Sequence, residues 1–178
     1  MKLSFSTTTI ALCAVLAGCA SDAASSGDAK TGGDGAHPLM GAPAPKFDLS
    51  SVNGKGKVSM AQLNGKVVIV DFWATWCEPC RKSFPKLQEL NVKYKASGMQ
   101  LVGVSEDDDK SGIAEFGTSL SADFPLVWDQ DKGIAGKWSP GSMPSTFIVD
   151  RTGVVRFVHR GYHDGEEVEI EKEVKGLL

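Results

Sequence analysis

The chain has 178 residues, 42% of them hydrophobic, and a formal net charge of −3 from 19 basic and 22 acidic side chains. This is enough apolar material for one domain with its own core. The mild acidity argues against a nucleic-acid partner, whose phosphates call for a basic surface.

Residues 1–18 read as a secretory signal. Lys2 gives a small positive start, and Phe5 to Leu16 form a mostly apolar run of about a dozen residues. That is too short for a bilayer span of roughly twenty but suits a signal peptide. The run ends in Leu16-Ala17-Gly18-Cys19, which resembles the bacterial lipobox. The resemblance implies cleavage before Cys19 and lipidation of its sulfur; the alternative is a plain signal peptide with an incidental cysteine. Two or more acyl chains would make the anchor stable, and Ala20 after the cysteine leans towards the outer membrane in a cell that has two. Residues 19–45 then read as a lipidated, flexible tether. The 26 residues from Ala20 to Pro45 hold almost no large apolar side chain and cannot bury enough surface to order themselves. As a random chain they would span on the order of 30 Å.

Residues 46–178 form the expected domain. Phe47-Asp48-Leu49 and Val58-Ser59-Met60 flank the Gly54 and Gly56 turn region and read as a hairpin. Val67-Val68-Ile69-Val70 is a continuous β-branched run, as in a strand covered on both faces. Phe84, Leu87, Leu90 and Tyr94 recur at helical spacing, which predicts a helix from Cys77 to Lys95 with a kink at Pro85. Leu101 to Val104 is a second buried strand, and Ile113, Phe116 and Leu120 mark an amphipathic helix. Thr146 to Val149 and Val154 to Val158 make a hairpin across Asp150-Arg151-Thr152-Gly153; Ile170, Val174 and Leu177 stripe a last helix. Strands alternating with helices, then a hairpin and a helix, predict an α/β fold with a mixed central sheet and helices on both faces.

The cysteines carry the chemistry. Cys13 leaves with the signal and Cys19 takes lipid, so Cys77 and Cys80 remain as the thiols. One such pair cannot staple distant segments, and in an exported domain it reads as a working redox centre. At a strand-to-helix junction the Cys77 sulfur meets unpaired amides and the positive end of the helix dipole, which favour the thiolate. Cys80, one turn on, is within disulfide reach and more buried, so Cys77 attacks a substrate disulfide and Cys80 resolves the product. Pro79 fits the first helical turn. Glu78 opposes the thiolate slightly and tunes the couple's potential. Half a zinc site is the bland alternative, but no second Cys-x-x-Cys exists.

Asp71 lies in the apolar run six residues before Cys77. A buried carboxylate is costly unless paired or protonated, and desolvation raises its pKa. It can therefore accept the proton of Cys80 as that sulfur attacks. Alternatively it points outward or pairs with Lys86 or Lys137.

Val70-Asp71-Phe72-Trp73-Ala74-Thr75-Trp76-Cys77-Glu78-Pro79-Cys80 resembles the active-site segment of the thioredoxin superfamily. Asp71 matches the family's buried acid and Trp76 the aromatic before the nucleophile. Gly141 to Phe147 looks like the loop bearing the family's cis-proline. The resemblance implies that Pro144 is cis, and that Met143 pairs by its backbone with an extended substrate peptide, a form of strand addition. The N-terminal hairpin and the long segment from Ser105 to Ser139 resemble the TlpA/ResA-like branch, with a redoxin (AhpC-TSA-like) domain. Its members are exported, membrane-tethered thiol-disulfide oxidoreductases, some serving cytochrome c maturation. The branch implies protein disulfides as substrates, a membrane electron donor of the DsbD/CcdA type, and no cofactor. Its functional glutamate three residues after the second cysteine is Ser83 here.

Several further signals are discounted. Glu106 to Asp109 reads as a solvated loop and helix start, the lysine and glutamate alternation after Glu166 as an exposed helix face, and Trp73, Trp128 and Trp138 as core or cleft walls. A copper chaperone is the alternative function, with His159, His163 and Met143 as added ligands, but Cys-x2-Cys is one residue short of that group's spacing. A thiol peroxidase would carry P-x3-T-x2-C, and those positions hold Val70 and Ala74.

Overall fold

Two buried, largely apolar runs set the architecture. Val67–Trp73 (β3) and Met99–Ser105 (β4) lie side by side and parallel within a five-stranded sheet. Leu126–Trp128 (β5) extends it in parallel beyond β4. Ser145–Val149 (β6) and Val155–Arg160 (β7) extend it antiparallel on the other side. A separate hairpin, Asp48–Ser50 (β1) with Lys57–Ser59 (β2), precedes the sheet. This computed structural model describes Lys2 and residues 36–178. The signal peptide, Cys13, Cys19 and most of the tether lie outside the described residues. Among the described residues no helix is long and apolar enough to cross a membrane.

Residue parity along β3 divides the core. Val67, Ile69 and Trp73 face a cluster with Glu78–Tyr94 (α1), Ile113–Ser119 (α2) and Glu166–Leu177 (α4), through Phe84, Leu87, Phe116, Ile170 and Val174. Val68, Val70 and Phe72 face the other way, onto Phe47, Val58 and Met60 and onto Gly133–Trp138 (α3), through Ile134 and Trp138. The mixed sheet with helices on both faces is the expected thioredoxin-like architecture. The helix after the cysteines runs unbroken through Pro85 to Tyr94, one residue short at each end of its sequence-based limits. It closes through a 3₁₀ turn, Lys95–Ser97, onto Gly98, whose φ of 98° suits a residue without a Cβ.

Two expectations need correction. The tether does not continue to residue 45, because residues 36–45 are packed against the domain. Gly41 and Ala44 donate main-chain hydrogen bonds to Val155 and Gly153, and Val155 donates back to Ala42. The segment thus satisfies part of an otherwise open sheet edge. His37 is buried edge-on against Phe147, with Nε2 3.0 Å from the Ser139 carbonyl, while Nδ1 accepts from Leu39 N–H. The acidic run is not uniformly solvated either: Asp108 and Asp109 are exposed, but Glu106 and Asp107 are buried. β4 carries them inward, where Glu106 N–H donates to the Trp73 carbonyl and Lys132 Nζ covers both of their carbonyls at 2.7 and 2.8 Å.

Candidate active site

β3 delivers Trp73 to the sheet's C-terminal end, and five residues later α1 begins. Cys77 is the helix N-cap, with extended backbone (φ −82°, ψ 104°), and its Sγ accepts the Cys80 N–H at 3.2 Å. Thus a cysteine fills the place usually taken by Ser, Thr, Asp or Asn. Pro79 lies in the first turn and Glu78 is its acidic residue. Cys77 and Cys80 form a disulfide with Cα atoms 5.3 Å apart, Cys77 being 3% exposed and Cys80 fully buried. Trp76, just before the disulfide, is 69% exposed. Arg81 crosses the base of this turn, its guanidinium 4.6 Å from the Phe116 ring centre and Nη2 donating to the Thr75 carbonyl at 3.3 Å.

The turn is clamped by Asp107, a residue the sequence did not single out. Its carboxylate accepts from Thr75 N–H (3.1 Å to each oxygen), from Thr75 Oγ1 at 2.7 Å and from Ser105 Oγ at 2.7 Å. Only the fold, which sets the end of β4 beside the end of β3, makes this clamp visible.

Asp71 is fully buried, and among the described residues it has no lysine partner. Lys86 pairs with Glu89 and Lys137 is exposed. Across β3 and β6, Asp71 stands opposite Thr146, whose Oγ1 donates to Oδ1 at 2.7 Å; Oδ2 has no partner among the described residues. On the other side Asp71 stands opposite Gly103. A Cβ at Gly103 would come within 2.8 Å of Leu126 and 2.9 Å of Trp73 Nε1, so β4 offers no side chain there. Burial raises the Asp71 pKa to about 7; the Thr146 bond works against the rise and the Glu166 charge adds to it.

The Met143–Pro144 peptide is cis. β6 starts at Ser145, opposite Phe72, which sets Pro144 at the end of β3 that leads to Trp76 and Cys77. Met143 is half-buried and touches both core clusters. Ser83, where the resembled branch carries glutamate, is buried and donates to the Cys80 carbonyl at 3.2 Å. His159 and His163 do not converge on the cysteines. The former is taken by Glu166 and Glu173 at 3.2 and 2.7 Å, because β7 ends at Arg160 and α4 packs across it.

Glu106 Oε1, beside the same sheet end, is buried without a partner among the described residues. Burial first, then the charge of Asp129, raises the Glu106 pKa to about 8. Asp129 itself caps α3, accepting from the amides of Ile134 and Ala135.

Comparison with known proteins agrees with this geometry. Residues 40–158 match the AhpC/TSA family. The chain is similar to the thiol-disulfide oxidoreductase ResA of Bacillus subtilis (35% identity, covering 65% of this chain and 64% of the relative). It is also similar to ResA of Geobacillus kaustophilus (30% identity, 73% and 74%). The chain thus spans about two thirds to three quarters of the length of these relatives. A solved structure from Chlorobium tepidum, provisionally described as thiol:disulfide interchange protein DsbE, superposes with a TM-score of 0.73 at 33% identity, over 78% of this chain and 96% of that one. The chain belongs to the AhpC/TSA family, on the TlpA/ResA-like branch of the thioredoxin superfamily.

Proposed function

We propose that this protein is an extracytoplasmic thiol-disulfide oxidoreductase that reduces protein disulfides through Cys77 and Cys80. The observation that carries this reading is the N-cap sulfur, Cys77 Sγ, with the Cys80 amide aimed at it from 3.2 Å at the start of a 17-residue helix. Amides so directed stabilise a thiolate more than a thiol. In the reduced enzyme Cys77 thiolate attacks one sulfur of a substrate disulfide, forming a mixed disulfide and releasing the other sulfur as thiolate. The Cys80 thiol gives its proton to the Asp71 carboxylate and attacks Cys77 Sγ. The Cys77–Cys80 disulfide forms, the substrate's second sulfur departs as thiolate, and two electrons have passed to the substrate. A membrane dithiol donor of the DsbD/CcdA type then reduces the pair again.

Trp76, exposed beside the disulfide, and the Met143–Pro144 segment, at the same sheet end, form the platform for an extended substrate chain. Glu78 and Pro79 tune the first helical turn. Ser83 in place of the branch's glutamate favours a general protein-disulfide substrate over a dedicated role in cytochrome c maturation. Cys19 carries the lipid, residues 1–18 are its signal, and the residues after Cys19 tether the domain to the membrane. The family match alone would also admit a peroxidase, but Val70 and Ala74 lack the proline and hydroxyl that its pattern requires.

Trapping tests the assignment. Cys80→Ala is expected to accumulate mixed disulfides with substrate proteins on non-reducing gels, and Cys77→Ala to accumulate none. Equal trapping by both variants contradicts the assigned roles.

A further inference from the structure

Asp71, Thr146 and His159 stand in one cross-strand row. Asp71 is paired with Thr146 between β3 and β6, and Thr146 with His159 between β6 and β7. Residues directly opposite each other project from the same face of a sheet, so the three side chains follow one another under the helical layer. At the far end of the row His159 is held by two carboxylates of α4: Glu166 at 3.2 Å from Nδ1 and Glu173 at 2.7 Å from Nε2. The two glutamates lie seven residues, about two turns, apart and so share one helix face. Glu166 is itself buried, and its second oxygen accepts only the His163 amide, at 3.3 Å.

This cluster carries a net charge of −1 with the imidazole protonated. Burial works against the imidazolium, but the bonds and charges of the two glutamates outweigh it and raise the His159 pKa to about 9, so it is charged at neutral pH. Among the described residues the other buried acids, Glu106, Asp107, Asp129 and Asp150, lie outside this row, just past the ends of β4, β5 and β6. To this face α1 contributes Cys80, Ser83, Phe84 and Leu87; β4 contributes Gly103; and β7 adds Phe157. Of the other α4 charges, Glu171 is engaged with Lys93 and Tyr94 and Glu167 with Tyr162, while Glu169, Lys172 and Lys175 are exposed to solvent.

We infer that Glu166, held by His159, is a positioning residue for the disulfide reaction, acting through Asp71. Its carboxylate makes Asp71 hold a proton more tightly, and His159 limits that effect by neutralising one of the two glutamates. The inference rests on Asp71 as the proton acceptor of Cys80. Asp71 must be ionised to take the proton and basic enough to draw it, and the cluster sets the balance between these demands.

Glu166→Gln and His159→Gln test it from opposite sides. Glu166→Gln takes the cluster from −1 to neutral, with Glu173 still holding His159; His159→Gln takes it to −2. In the intact protein, the Asp71 carboxyl carbon is titrated by NMR in the disulfide form, and the rate of mixed-disulfide resolution is followed against pH. Glu166→Gln is expected to lower the Asp71 midpoint by about one pH unit, the size for one charge removed at a separation on the order of 10 Å. His159→Gln is expected to raise it, and the rate profiles should move in the same two directions. Loosened packing alone would move both variants the same way. An Asp71 midpoint unmoved in Glu166→Gln overturns the inference, and that variant decides alone if His159→Gln does not fold. A midpoint that moves while the rate profile stays fixed removes Asp71 from the chemistry. An unmoved midpoint beside a slowed Asp71→Asn enzyme removes only the coupling.

Discussion

Thr146 Oγ1 donates a 2.7 Å hydrogen bond to Asp71 Oδ1 across paired strands, and among the described residues it is the one group that satisfies this fully buried acid. The bond favours the carboxylate, and burial favours the neutral acid by more. Thr146→Val removes the donor at nearly constant volume. The Asp71 midpoint is then expected to rise above about 7, and stability to fall by about 1–3 kcal/mol for an unpaired buried polar group. Carboxyl titration and denaturant unfolding measure the two effects; a lower midpoint would contradict the assigned hydrogen bond.

Asp71 also gives stability a signed pH dependence. Its pKa is raised in the folded state from 3.8 to about 7, so the native protein binds the extra proton between those values. Stability is therefore lost as pH rises from about 4 to 7, and levels off above. Asp71→Asn lacks this term. Its stability relative to wild type is expected to grow across that window by up to an order of 3–4 kcal/mol, read from unfolding curves at several pH values. Comparison with the variant isolates Asp71 from His159, whose raised pKa contributes stability that is present below 6.5 and lost as pH passes about 9. A difference that does not change with pH would contradict the raised value.

Asp107 holds the turn before the disulfide through Thr75 and Ser105. Asp107→Ala leaves the Thr75 amide and two hydroxyls without their acceptor. It is expected to cost about 1–3 kcal/mol and to slow disulfide reduction, because Trp76 and Cys77 follow directly. Asp107→Asn, which keeps one acceptor oxygen, should lose less on both counts. Unfolding and turnover assays on the two variants check the order.

Gly103 is required by packing rather than by its backbone angles, since it lies in a strand against Leu126 and Trp73. Gly103→Ala is expected to destabilise the domain by about 1–3 kcal/mol through overpacking. Thermal or chemical unfolding tests this, and an unchanged midpoint would show that Leu126 can move aside.

The central strands were legible because a run such as Val67 to Val70 has few other homes, and the redox helix because its cap and apolar stripe are local. β5, with three residues, and α3, with six, are too short to show a period; α3 depends on Asp129 capping it from outside. Cys77 and Cys80 announce themselves by spacing. The partners of Asp71 do not: Thr146 is 75 residues away, and its place depends on a strand register that one sequence cannot fix. The acidic run misled for a similar reason, since Glu106 and Asp107 turn inward only because β4 ends beside β3. His159 likewise gives no sign, along the chain, of the two helix glutamates that enclose it.

The most direct test is the pH dependence of alkylation at Cys77 in the reduced protein. The amides at the start of α1 are expected to lower its pKa well below the ordinary value of about 8.5, into the range of roughly 3.5–7.5, with fast modification at neutral pH. A midpoint near that of free cysteine, with ordinary alkylation rates, would contradict the account.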